Sequence, residues 1–170
     1  MVITQVHPIP PLYDRNSTIL ILGSFPSVKS REQGFFYGHP QNRFWKVIAG
    51  VFNEPIPSTL TEKKLLLYKN NIALWDVIAA CDIAGSSDSS IKNVVVNEFS
   101  VILNNCDIKQ IFLNGKTAER LFKKYASPII PKLNPIGLPS TSPANAAYSF
   151  EKLLSEWKLK IQRNTPIKNT

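Results

Sequence analysis

Short apolar runs that stop at a turn or a polar residue constrain the fold of this chain more than any other feature. The run at 18–23, TILILG, is rich in β-branched residues and stops at a glycine, and similar runs occupy 72–75 and 110–113. Apolar runs of this length without polar alternation are typical of strands that are buried on both faces. They predict a sheet that is covered on each side by other elements.

Segments with helical spacing separate these strands. Intervals of three and four relate the apolar residues Phe44, Trp45, Ile48, Val51 and Phe52. The sequence TLTE at 59–62 has the form of a capping box, and further helices are predicted at 98–104 and 116–124. A final helix is predicted to open with Ser142 as its N-cap and Pro143 in its first turn, and to run through Ile161.

The alternation of strands and helices predicts the α/β class. Strand–helix–strand units form right-handed crossovers, which give a parallel sheet. Binding sites in such sheets lie beyond the carboxyl ends of the strands. That rule points to the segments after Leu22, after Leu113 and around Leu138.

Length and charge limit the organisation and the partners. The 170 residues fit one domain, predicted at 1–161, followed by a basic tail at 162–170. Lys and Arg number 20 against 12 Asp and Glu, so the formal net charge is +8. An excess of positive charge favours a polyanionic partner because each neutralised phosphate releases counterions, although it is also compatible with ordinary solubility.

Membrane and metal partners are not predicted. No apolar run approaches the roughly 20 residues of a membrane helix, and the first residues lack the features of a signal peptide. We therefore expect a cytoplasmic protein. Two cysteines, Cys81 and Cys106, and two histidines, His7 and His39, show no metal-ligand spacing, so we expect no metal site.

Three loop segments combine Gly or Pro with small hydrogen-bonding side chains. They are 23–27 (GSFPS), 37–45 (YGHPQNRFW) and 138–145 (LPSTSPAN). This composition suits close approach to the phosphates or polar edges of a ligand. The sequence has neither the glycine pattern of a phosphate-binding loop nor that of a dinucleotide fold, which argues against nucleotide hydrolysis and dinucleotide redox chemistry.

These segments, in this order, resemble motifs of the uracil-DNA glycosylase superfamily, most closely its hypoxanthine (deoxyinosine) DNA glycosylase branch. Similar stretches at 7–9, 19–26, 73–78, 85–89 and 112–115 extend the resemblance over nearly the whole chain. It implies a three-layer α/β/α fold with a central four-stranded parallel sheet.

The resemblance also implies an activity. Such an enzyme is a monofunctional DNA glycosylase that starts base excision repair: it flips a deaminated nucleotide out of double-stranded DNA and hydrolyses its N-glycosidic bond. We expect it to act as a monomer on the DNA of the nucleoid, without a cofactor. Since the family's transition state resembles an oxocarbenium ion with an anionic leaving base, the protein has to orient water and stabilise charge rather than supply a strong nucleophile.

Catalysis and base stacking are assigned by the same resemblance. Asn42 matches the catalytic Asn of the hypoxanthine branch and would hold the attacking water. The alternative is that Asn42 only caps the helix that begins near Arg43, and the two roles are compatible. Tyr37 lies where relatives stack an aromatic ring on the flipped base; otherwise it is an ordinary core or rim tyrosine.

Base recognition is assigned to Asn114, Ser24 and Phe25. Asn114 matches the position that contacts the Watson–Crick edge of the base, although the dipeptide at 114–115 is also a common turn signal. Backbone N–H groups near Ser24 and Phe25, or other donors, would support the leaving base.

The positions predicted to meet DNA carry small hydroxyl or basic side chains: Ser140, Thr141, Ser142, His39 and Arg43. Each has an ordinary structural alternative. The hydroxyls can start a helix, His39 can order the turn that follows it, and Arg43 can be solvated. Asp76 and Asp88 lie in stretches that resemble the branch, but no chemical step is assigned to either.

Four positions depart from the family pattern. Phe25 stands where better-known members carry a water-activating Asn or Asp, and Leu138 stands where relatives that remove uracil often have His. Ser27 replaces a usual Gly and Gln41 a common Arg. Water activation therefore falls to Asn42.

Three alternative functions remain open at this level. The HP and NRFW sequences at 39–40 and 42–45 are also close to mismatch-type uracil or thymine DNA glycosylases. A catalytically silent module that binds damaged DNA would share the basic charge. A small-molecule-binding α/β domain would share the fold without any nucleic acid partner.

Overall fold

A central parallel sheet organises the protein. The structure, a computed structural model, describes residues 3–84, 90–130 and 133–165. The sheet contains the strands β2 (Ile19–Gly23), β3 (Ile72–Asp76), β6 (Gln110–Asn114) and β7 (Ile136–Leu138), in the order β3-β2-β6-β7. All its neighbouring strands are parallel. The predicted four-stranded α/β sheet is confirmed, and three of its strands, β2, β3 and β6, lie where the apolar runs predicted them.

Helices connect and cover these strands. They are α1 (Val28–Gln33), α2 (Phe44–Val51), α3 (Leu60–Lys69), α4 (Ser100–Leu103), α5 (Lys116–Leu121) and α6 (Phe150–Asn164). Every residue of β2 and β3 is buried, because other elements cover both faces of the sheet. A π-helical turn at Phe122–Ala126 continues α5. The capping box is confirmed, since the Thr59 hydroxyl accepts a hydrogen bond from the Glu62 N–H at 3.1 Å.

A second, antiparallel sheet was not predicted. It consists of β1 (Ile3–Val6), β4 (Ile78–Ile83) and β5 (Lys92–Val96), in the order β1-β4-β5. The apolar run of its outer strand β5 is only three valines long, and three of the five residues of the strand are exposed, so β5 does not resemble the buried strands of the parallel sheet. The N–H of His7, just after β1, donates to the carbonyl of Ala79 at 2.7 Å. This sheet therefore brings the N-terminal segment to the end of β3.

The final helix begins later than predicted. Its N-cap is Ser149, whose hydroxyl accepts from the Lys152 N–H at 3.2 Å, so the predicted start at Ser142 and Pro143 is wrong. The Arg43 guanidinium binds backbone carbonyls of the 142–148 segment, and these carbonyls are then held in turns instead of a helix. At its other end α6 continues to Asn164, three residues past the predicted domain boundary at 161.

Large aromatic residues join the helices to the loop after β7. Trp157 of α6 is fully buried and lies edge-on to Phe44 of α2, with ring centroids 6.0 Å apart. Its indole N–H donates to the Pro139 carbonyl at 2.8 Å. Trp157 thereby fixes the loop after β7 to the hydrophobic core.

Replacing Trp157 with Phe tests this anchor. The variant keeps an aromatic ring but leaves the Pro139 carbonyl without its donor, so we expect the free energy of unfolding to fall by about 1–3 kcal/mol. Urea denaturation measures it. The matched control is Leu159→Ala on an exposed position of the same helix, where a change within about 0.5 kcal/mol is expected. Equal stability of wild type and Trp157→Phe would contradict the anchoring role.

Candidate active site

The carboxyl ends of the central strands open into one large cleft. Its volume is about 1100 Å³. Its walls come from the segments 23–27, 114–117 and 136–142, together with Tyr37 and Asn42. The three loop segments singled out by the sequence therefore meet in this cleft, at the end of the sheet where such folds bind ligands.

Asn114 joins three segments through its carboxamide. Its Nδ2 donates to the Tyr37 hydroxyl at 3.1 Å and to the Thr141 hydroxyl at 3.0 Å, and its Oδ1 accepts from the Thr141 N–H at 3.1 Å. Both amide hydrogens are thus used inside the protein. Only one acceptor position on Oδ1 remains for the predicted contact with a base edge, and that contact stays a prediction.

Tyr37 is held in an unusual conformation. Its φ of 52° lies in the left-handed region, which is a strained position for an aromatic residue. Phe44 stacks on one face of its ring, with centroids 4.0 Å apart, so only the remaining surface of the ring can meet a base. Burial of the hydroxyl raises the pKa of Tyr37, and the nearby Asp76 carboxylate raises it further. The hydroxyl therefore keeps its proton and can donate it in a hydrogen bond.

Asn42 caps α2 and also lies in the cleft, while its role in holding the attacking water stays a prediction. Its Oδ1 accepts from the Phe44 N–H at 3.0 Å, which caps the start of α2. The residue also lines the cleft. Its Nδ2 donates to no group in the described ranges, so the amide keeps hydrogen-bonding capacity for a water or a substrate.

Two other predicted groups face the cleft at the end of β2. Ser24 and Phe25 line it, and within residues 3–84, 90–130 and 133–165 neither of their backbone N–H groups donates to another part of the chain. The Phe25 ring packs edge-on against His7, with centroids 5.9 Å apart. Free N–H groups at this position suit an anionic leaving group.

The 140–142 segment divides into a buried residue and two accessible ones. Thr141 is fully buried, and its hydroxyl and N–H bind Asn114, so the structure gives it a structural role in place of the predicted DNA contact. Ser140 and Ser142 line the cleft and are only partly buried. Their predicted contact with DNA stays a prediction.

His39 and Arg43 both stabilise backbone. The Nδ1 of His39 accepts from the Gln41 N–H at 3.1 Å, which orders the turn before Asn42. The Arg43 guanidinium donates to the carbonyls of Tyr148, Ser142 and Asn145. Neither residue lines the cleft, so their predicted contacts with DNA have no support from this geometry.

A buried His–Asp pair at the end of β3 was missed by the sequence analysis. The Nε2 of His7 donates to Oδ2 of Asp76 at 2.7 Å, and both side chains are almost fully buried. Asp76 pairs with Gly23 across the parallel strands and lines the cleft. The available signal was the position of Asp76 after a predicted strand, because carboxyl ends of neighbouring parallel strands meet at one edge. Asp88 lies outside the described residues.

Among the residues that the structure describes, no group of three or more His, Cys, Asp and Glu could hold a metal ion. Across the same ranges, no helix is long and apolar enough to cross a bilayer.

Comparison with known proteins identifies the family. The model of the uracil DNA glycosylase superfamily matches residues 10–164. The chain belongs to this superfamily. It is therefore a DNA N-glycosylase, a hydrolase that removes deaminated bases from DNA.

Individual relatives cover much of this glycosylase. The hypoxanthine DNA glycosylase of Methanosarcina acetivorans is 36% identical over 156 residues, which are 88% of this chain and 93% of the relative. The protein of the same name from Methanosarcina barkeri is 38% identical over 109 residues, covering 63% of this chain and 69% of the relative.

A solved structure supports the same assignment. The solution NMR structure of a candidate uracil DNA glycosylase from Methanosarcina acetivorans superposes on the glycosylase with a TM-score of 0.77. It is 32% identical in sequence, and the match covers 91% of this chain and 95% of the other.

The protonation of Tyr37 is open to direct measurement. Because its pKa is raised, Tyr37 should stay neutral where an ordinary tyrosine ionises, around pH 10. Wild type and Tyr37→Phe should then show the same rise in tyrosinate absorbance through that range. In denaturant the variant should form one tyrosinate fewer, since the unfolded chain exposes every tyrosine.

The raised pKa of Tyr37 also makes the free energy of unfolding depend on pH. Above about pH 10 the unfolded state loses the Tyr37 proton and the folded state keeps it, so this contribution to stability is present at lower pH and declines as pH rises further. A folded variant that lacks one tyrosinate near pH 10 would show that the hydroxyl is not held neutral.

Proposed function

We propose that this glycosylase hydrolyses the bond between deoxyribose and hypoxanthine at deoxyinosine in double-stranded DNA. The observation that carries the proposal is the placement of the Asn42 carboxamide in one cleft with the backbone N–H groups of Ser24 and Phe25. The names of both Methanosarcina relatives support the choice of base. The net charge of +8 supports a DNA duplex as the partner.

The cleft suits a dissociative hydrolysis. As the C1′–N bond breaks, the base leaves with the bonding electrons, and the sugar acquires oxocarbenium character. Asn42 orients a water toward C1′, and the N–H groups of Ser24 and Phe25 stabilise the negative charge on the base. The water oxygen bonds to C1′, and its proton neutralises the base, which gives free hypoxanthine and an abasic site.

Binding of the duplex is proposed to precede this step. Ser140 and Ser142 lie at the rim of the cleft, where they would contact phosphates beside the flipped nucleotide. Tyr37 contacts the base with the part of its side chain that Phe44 leaves uncovered. We further propose that the enzyme acts as a monomer on nucleoid DNA in the cytoplasm and needs no cofactor.

Uracil is the second candidate substrate. The structural relative described as a candidate uracil DNA glycosylase favours it. Against a mismatch-type uracil enzyme stands Phe25, which fills the position where many superfamily members have a water-activating side chain.

Substitution of Asn42 tests the proposed mechanism. Asn42→Ser keeps an oxygen that can cap α2 but is too short to hold the water, so we expect hypoxanthine release to fall by about 10²-fold or more. Single-turnover release from a duplex with one deoxyinosine, in EDTA, measures this rate. Affinity for the same duplex should change little.

The matched control is Asn104→Ala, an exposed asparagine at the end of α4 and outside the cleft. This control should release hypoxanthine at the wild-type rate. If the wild-type enzyme releases uracil but no hypoxanthine, the proposed substrate is wrong and uracil takes its place. An Asn42→Ser variant with full activity would refute the catalytic role of Asn42.

A further inference from the structure

The cleft contains a carboxylate oxygen with no partner among the described residues. His7 donates a hydrogen bond to Oδ2 of Asp76, whereas Oδ1 accepts no hydrogen bond from residues 3–84, 90–130 or 133–165. The Asp76 side chain is only 6% exposed, yet it lines the cleft. A nearly buried acceptor of this kind is strongly disfavoured unless a ligand or water satisfies it.

His7 fixes the orientation of this carboxylate. Its Nδ1 accepts from the Ile9 N–H at 3.2 Å, so the proton of the neutral ring is on Nε2 and points to Asp76. The rings of Phe25, Phe36 and Trp75 surround the imidazole. Asp76 is thereby held with one oxygen inward, toward His7, and the other toward the cleft.

The Tyr37 hydroxyl lies beside the free oxygen. A Cβ on residue 23 would overlap Oδ1 of Asp76 and would lie 3.1 Å from the Tyr37 hydroxyl oxygen. Gly23 therefore leaves room for both groups at the end of β2. Since Asn114 donates to the Tyr37 oxygen, the hydroxyl proton is left to donate elsewhere. A fixed donor and a fixed acceptor thus lie side by side.

We propose that Asp76 determines base specificity: its Oδ1 accepts a hydrogen bond from the ring N–H of the flipped base, while the Tyr37 hydroxyl donates to the adjacent carbonyl. This inference rests on the proposed function of the same cleft. Hypoxanthine presents that pair as N1–H and the C6 carbonyl, and uracil and xanthine present the same lactam edge. Adenine and cytosine present an amino group beside a bare ring nitrogen, which reverses donor and acceptor.

The reversed edge is rejected by two unfavourable contacts. A bare ring nitrogen would face the Asp76 carboxylate, acceptor against acceptor, and an amino group would face the Tyr37 proton. Sites built to hydrogen-bond a polar group discriminate strongly against analogues that lack it, because their own buried groups are then left unpaired. The pair therefore separates hypoxanthine and uracil from adenine and cytosine, the normal bases whose deamination gives rise to them.

Asp76→Asn provides the test because it changes hydrogen bonding without changing shape. In the variant His7 still needs an acceptor, so the new carboxamide turns its oxygen to His7 and its NH₂ to the cleft. The acceptor in the cleft becomes a donor. The matched control is Asp107→Asn, an exposed aspartate that pairs with Lys109 before β6.

The experiment measures binding so that catalysis does not interfere. The probes are duplexes with a single 2′-fluoroarabino nucleotide, which resists glycosidic cleavage, bearing hypoxanthine or adenine, and a third duplex with a tetrahydrofuran abasic analogue. The measured quantity is the ratio of Kd for adenine to Kd for hypoxanthine. The free energy needed to open each base pair is a property of the DNA, so it cancels when the Kd ratios of variant and wild type are compared.

We expect Asp76→Asn to lower this ratio by about tenfold or more, with Kd for the abasic duplex within about threefold of wild type. The control should leave all three values unchanged. An unaltered ratio, or a parallel loss of affinity for the abasic duplex, overturns the inference. The proposed function fails separately, if wild type releases no hypoxanthine from a cleavable deoxyinosine duplex.

Discussion

The carboxamide of Asn114 is the interaction on which the cleft depends. It lies at the end of β6 and binds the Tyr37 hydroxyl on one side and both the hydroxyl and the N–H of Thr141 on the other. A buried polar group that loses its partner costs about 1–3 kcal/mol, so these three bonds hold each other in place. Two loops, one at Tyr37, 77 residues before Asn114, and one at Thr141, 27 residues after it, are thereby joined to one strand.

The parallel pairing of the strands brings Gly23 and Asp76 to the same end of the sheet as Asn114. Gly23 and Asp76 are neighbours across β2 and β3, while Asn114 and Leu138 are neighbours across β6 and β7. A sheet of this kind collects the ends of distant segments at one edge, and here the Asn114 carboxamide, the Tyr37 phenol and the Asp76 carboxylate meet there. Such groups suit the orientation of a base and a water, which is the chemistry of an N-glycosylase.

Much of this fold follows from local patterns, because buried strands and capped helices have clear signatures. The strands at 18–23, 72–75 and 110–113 and the capping box at 59–62 are examples. The start of α6 could not be found this way. Ser142 and Pro143 form a good helix start locally, but the Arg43 guanidinium, about 100 residues earlier, binds the carbonyls that a helix would use.

The residues of the candidate site were predictable from the sequence to about the same degree as the fold. The loop motifs led to Asn42, Tyr37 and Asn114, all of which line the cleft. The direction of their hydrogen bonds was not predictable, since it depends on partners that are distant in sequence. Asp76 is the clearest case. Its position depends on the hydrogen bond from His7, which follows β1, and on the absence of a side chain at Gly23, and the local sequence around Asp76 indicates neither.

A crystal structure of the Asn42→Ser variant with a duplex that contains 2′-fluoroarabino deoxyinosine is the most direct test of how the base is held. We expect a flipped hypoxanthine with N1 within hydrogen-bonding distance of Asp76 and its carbonyl oxygen at the Tyr37 hydroxyl. Asn114 should still bind Tyr37 and Thr141. A base held instead by a rotated Asn114 carboxamide, with Asp76 remote from any ring nitrogen, would contradict it.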